Sequence, residues 1–152
     1  MVKSNEDLES LFRRLDRTFD AMEDGTFLVL AAPQQPPIAV RLAPPVVVLQ
    51  VSIGEAPRGD AALEAALFRR LLELNATLLH AAYGLSGDAI TLGAALAADT
   101  LDPNELEAAL ADLGMALSEH VPALRGRVRG GMVRGGSAGG AGEAAVKPRA
   151  RD

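Results

Sequence analysis

Val46-Val47-Val48-Leu49-Gln50-Val51-Ser52-Ile53 is a run of β-branched and aliphatic residues, entered through Pro44-Pro45 and left through Gly54. Branching at Cβ restricts χ1 in a helix and suits a pleated strand. The preceding prolines fix φ and hold their neighbours extended. The run therefore predicts a central strand, and its near-continuous apolarity predicts burial on both faces. It is too short to cross a bilayer, and Gln50 and Ser52 interrupt it. No apolar run in the chain reaches the roughly 18–20 residues that a membrane span requires.

Two shorter strands precede it. Thr26–Ala31 and Ile38–Leu42 are separated by Pro33-Gln34-Gln35-Pro36-Pro37. Connections this short fit a meander of three antiparallel strands. Ahead of them, Ser4 followed by Glu6 and Asp7 reads as a helix cap with acids at the positive end of the dipole. Leu8, Leu11, Phe12, Leu15 and Phe19 then fall at spacings of three and four. One helix from Ser4 to about Asp20 is expected, ended by Glu23-Asp24-Gly25.

After the valine run, Gly54–Gly59 reads as a loop and Asp60 as the cap of a helix ending near Asn75. Leu63, Leu67, Phe68, Leu71, Leu72 and Leu74 cover more than one face of that helix, wider than one packing contact needs. Thr77–Tyr83 and Ala89–Leu96 flank Gly84-Leu85-Ser86-Gly87-Asp88, the pattern of a β-hairpin. Asp102-Pro103-Asn104-Glu105 places a cap, a proline at the first helical position and an acid three residues after the cap. Leu106, Leu110, Leu113, Leu117 and Val121 continue that helix until Pro122. The order is α-β-β-β-α-β-β-α. An α+β domain with a five-stranded, mostly antiparallel sheet and packed helices is expected over residues 1–124.

Charge divides the chain at the same point. Residues 1–124 carry eight Lys/Arg and eighteen Asp/Glu, whereas residues 125–152 carry seven and two. The second part is glycine-rich and poor in large apolar residues, so a disordered basic tail is expected there. With no cysteine, disulfides and thiolate metal sites are excluded. Polar residues 1–10 do not resemble a secretory signal, and a cytoplasmic location is expected.

Chemistry is sparsely represented. No phosphate loop, dinucleotide fingerprint or nucleophile elbow occurs. His80, in an expected strand, and His120, at a helix end, make a weak metal pair. Glu105, Glu107, Asp112 and Glu119 read as the solvated face of the last helix. Asn75 reads as a helix C-cap, a position where asparagine tolerates the left-handed conformation. No catalytic residue, cofactor or metal is expected. Arg125, Arg127, Arg129 and Arg134 stand in Arg-Gly contexts that could contact nucleic-acid phosphates and bases, although no aromatics are interleaved.

Three segments, Leu71-Leu72-Glu73-Leu74-Asn75-Ala76-Thr77-Leu78-Leu79-His80, Leu85-Ser86-Gly87-Asp88-Ala89-Ile90 and Leu101-Asp102-Pro103-Asn104-Glu105-Leu106, resemble the YbjN-like and type III secretion chaperone-like (CesT/Tir chaperone) group. The resemblance covers roughly residues 4–121. It implies a non-enzymatic α+β domain, usually a homodimer, that binds a partner protein. The glycine-arginine tail departs from dedicated secretion chaperones and makes a YbjN-like adaptor in stress response or regulation the nearer match. The expected dimer or partner surface comprises Leu63, Leu67, Phe68, Leu71, Leu74, Val46 and Val48. A nucleic-acid-associated protein, acting through its tail or through a DNA- or RNA-binding partner, is the alternative. No membrane partner is expected.

Overall fold

The computed structural model describes residues 1–129. Its elements are α1 (Asn5–Arg14), β1 (Phe19–Ala21), β2 (Phe27–Val29), β3 (Ile38–Ala43), β4 (Val46–Glu55), α2 (Ala61–Asn75), β5 (Ala82–Ser86), β6 (Ala89–Ala97) and α3 (Pro103–Ala123). The strands form one six-stranded antiparallel sheet in the order β1-β2-β3-β4-β6-β5. The expected α+β class and helix-sheet succession hold, with one strand more than the five expected.

The additional strand comes out of the first expected helix. Ser4 and Asp7 close a reciprocal capping box, and Leu8, Leu11 and Phe12 are buried. The helix then stops at Arg14 instead of running to about Asp20. Asp16 takes φ 55°, a left-handed conformation that ends helical bonding. Phe19 still reaches the apolar stripe it was assigned to, but from β1. Its ring lies 5.4 Å from Phe12 and 5.9 Å from Phe27. Helical spacing and a strand returning to the same cluster satisfy the same hydrophobic positions.

Asp60 and Asp102 cap α2 and α3 through their side chains, as expected. Pro122 does not stop α3, which continues to Ala123. The helix ends one residue beyond the proline, with Leu124 as its C-cap. The hairpin turn is confined to Gly87-Asp88, with Gly87 at φ 60°. The strand before it begins at Ala82, not Thr77, so His80 lies outside the sheet.

β4 is central, but it is not buried on both faces. Val47, Leu49, Val51 and Ile53 are buried among residues of all three helices, whereas Val46 and Val48 are half-buried and Gln50 and Ser52 exposed. The alternation of period two assigns one face of the sheet to the core and leaves the other open. α3 supplies the core with Leu106, Leu110, Leu113 and Leu117. Each such leucine contributes about 1.5–3 kcal/mol by leaving water.

Residues 125–129, assigned above to the tail, are in contact with the domain. Arg129 forms a β-bridge with Glu55, and Val128 packs against the core. The remaining expected tail, 130–152 with Arg134, lies outside the described residues.

Candidate functional site

α2 presents leucines in two directions. Leu67, Leu71 and Leu74 follow one helical stripe and are buried in the chain's own core, Leu67 to 1% exposure. They are therefore not outward contacts, contrary to the surface expected from the sequence. Phe68 is half-buried beside them, while Leu63 and Leu72 face out, Leu72 at 70% exposure. Val46 and Val48 lie elsewhere, on the open face of the sheet.

Six large apolar side chains are exposed among the described residues, four of them leucines, and two of these, Leu72 and Leu85, line one groove. Leu63 and Leu72 stand on α2, Leu79 in the loop after it and Leu85 on β5. Between α2 and β5 runs a groove floored by Leu71, Tyr83 and Ile90 and rimmed by Phe68, Leu72 and Leu85. Its lining is almost wholly apolar. Leu72 was placed on the wide apolar surface of the helix by its spacing; Leu79 was absorbed into the expected strand Thr77–Tyr83 and Leu85 into the hairpin turn, so neither was singled out.

β5 is an edge strand, and its free edge is partly occupied. Asn75 Nδ2 donates to the Tyr83 carbonyl at 3.2 Å, and Oδ1 accepts from the Tyr83 N–H at 2.6 Å. The side chain thus behaves as one residue of a missing neighbouring strand. Because the ladder alternates, the N–H and C=O of Leu85 face the same edge two residues on. None of the described residues bonds them.

Asp112 on α3 fixes the approach to this edge. Its Oδ2 accepts from three successive backbone N–H groups, Leu79 at 3.0 Å, His80 at 2.7 Å and Ala81 at 2.8 Å. That nest holds Leu79 outward at 88% exposure. Behind it, the Tyr83 hydroxyl lies 3.2 Å from His120 Nδ1. Burial pushes the Tyr83 hydroxyl above its ordinary pKa, so it stays protonated near neutrality.

Three of the side chains singled out for chemistry, Glu107, Asp112 and His120, have structural partners. Glu107 pairs with Arg17, whose guanidinium also donates to the Ala31 carbonyl at 2.8 Å. Asp112 is spent on the nest, and His120 on Tyr83. Among the described residues no group of three or more His, Asp or Glu is placed to hold a metal ion, and no helix is long and apolar enough to cross a membrane. Arg125 and Arg127 are exposed, whereas the Arg129 guanidinium is paired with Glu55.

The model of the CesT_Tir_1 family matches residues 1–129. No curated protein matches. Among solved structures, a chain of the heterodimeric ExoU–SpcU complex from the type III secretion system of Pseudomonas aeruginosa superposes with a TM-score of 0.58 at 17% identity. The match covers 80% of this chain and 97% of that one. At that identity the likeness is one of fold.

Proposed function

The chain belongs to the CesT_Tir_1 family, a CesT/Tir-like chaperone family, and from that premise we propose that it is a non-enzymatic, homodimeric adaptor that holds a partner protein. The observation that carries the reading is the pairing of exposed leucines with an unfilled strand edge. Leu72 and Leu85 rim the groove beside the edge on which the N–H and C=O of Leu85 are free. Apolar side chains supply association energy, and a backbone edge supplies direction. The heterodimeric assembly of the ExoU–SpcU complex supports a protein as client.

In this reading two copies meet across α2 and β5, each placing Leu72 and Leu85 against the other. The open face around Val46 and Val48 then remains for an extended client segment. Sedimentation at micromolar concentration tests the assembly. Wild type sediments as a dimer, and Leu72→Glu combined with Leu85→Glu sediments as a monomer. A monomeric wild type overturns the homodimer. The exposed Arg125 and Arg127 keep nucleic-acid association as a second reading. It predicts salt-sensitive binding of single strands that disappears when residues 125–152 are removed.

A further inference from the structure

The far end of β4 carries a slot that the chain itself fills. β3 pairs with β4 only as far as Gln50, so beyond it that edge of β4 is open. On the opposite edge Glu55 faces Ala89 of β6. Arg129 takes the open side: its N–H donates to Glu55 C=O at 2.6 Å, and the Glu55 N–H donates back at 2.8 Å. The Arg129 guanidinium pairs with the Glu55 carboxylate and reaches the Ala56 carbonyl at 3.4 Å. One residue earlier, Val128 sits directly over Gly54. A Cβ on Gly54 would lie 2.1 Å from Val128 Cγ1, and Gly54 holds φ 141° at the irregularity of the β4–β6 ladder. The slot thus reads three things: an extended backbone, a branched aliphatic side chain and an arginine next to it.

That combination occurs twice in the chain. Val128-Arg129-Gly130-Gly131 is repeated as Val133-Arg134-Gly135-Gly136, five residues later. We propose that the Gly54–Glu55 slot is a strand-docking site with two alternative occupants from the same chain, Val128-Arg129 and Val133-Arg134. The second pair offers the same valine to Gly54 and the same guanidinium fork to Glu55. Its tether from Leu124 is nine residues long against four for the first. Loop-closure entropy alone then favours the first by about threefold, a preference small enough for both registers to be populated. A copy from another molecule competes poorly, because a short tether corresponds to a millimolar effective concentration. Exchange slides the C-terminal segment by five residues and hands one Val-Arg pair to solvent as the other docks.

Hydrogen exchange at the Glu55 amide, followed by NMR on the full chain, reads occupancy of the slot. In Val128→Asp/Arg129→Glu the second pair takes over, and protection stays within about fivefold of wild type. Adding Val133→Asp/Arg134→Glu abolishes it. The Leu49 and Val51 amides report that the sheet is intact, and the milder Val128→Ser/Arg129→Gln serves if charge reversal disturbs it. The proposal is overturned if the first variant already loses all protection, if its protection depends on protein concentration, or if the fourfold variant stays protected.

Discussion

Asn75 and Tyr83 are joined by two hydrogen bonds, side-chain amide to backbone, that fasten the last residue of α2 to the outermost strand. An amide is suited to this position because it offers one donor and one acceptor in a plane, as a backbone neighbour would. The C-cap of α2 is Ala76 rather than Asn75 as expected from the sequence, and the Asn75 amide serves strand pairing instead. Asn75→Ala removes both bonds and leaves the two Tyr83 groups without a protein partner. A loss of about 1–3 kcal/mol is expected by urea unfolding, with faster exchange of the Tyr83 amide.

Asp112→Ala releases three N–H groups at once. Water can reach Leu79 and His80, so the cost stays at about 1–3 kcal/mol rather than three times that. The local effect is larger than the global one: protease cleavage within residues 77–81 accelerates. Asp112→Asn, which keeps a carbonyl oxygen for the nest, lies between the two.

Leu67 and Leu72 separate core from surface on the same helix. Leu67→Ala creates a cavity and lowers stability by about 2–5 kcal/mol. Leu72→Glu changes stability by less than about 0.5 kcal/mol per folded chain, measured at a concentration where the chains are dissociated, yet weakens self-association in sedimentation. Equal effects on unfolding would place Leu72 in the core.

The first capping box is sensitive to acid. The backbone N–H of Lys3 holds the Asp7 carboxyl below its ordinary pKa of 3.8; desolvation opposes it, and the hydroxyl and N–H of Ser4 add to the lowering. A folded-state pKa depressed in this way contributes stability that is present above pH 3.8 and lost as pH falls through the lower folded value. Asp24, bonded first by the Thr26 N–H, behaves alike. Asp7→Asn therefore flattens the stability profile below pH 3.8, and acid titration monitored by circular dichroism checks it.

Local patterns carried the elements whose signals are themselves local. Asp60, Asp102 and Pro103 mark helix starts because caps act within one turn. Val46–Ile53 announced a central strand by composition. The errors lie where distant contacts decide. Phe19 fits a helical stripe in sequence, yet it reaches Phe12 and Phe27 from a strand. The start of β5 is set by Asp112, more than thirty residues away, which holds residues 79–81 in a nest that no periodicity reveals. The candidate surface was half legible: helical spacing flagged α2 as over-wide, but only packing separates Leu67, turned inward, from Leu72, turned out.

Tyr83 is the only tyrosine, and the chain has no tryptophan. Apart from the weakly emitting phenylalanines, the protein therefore carries a single intrinsic fluorophore, and it sits where α2, β5 and α3 meet, with its ring 6.0 Å from that of His120. Emission excited near the tyrosine band consequently has one address. It watches the seam beneath the leucine groove without a label, and any partner that shifts β5 or the end of α3 has to pass its signal through that one ring.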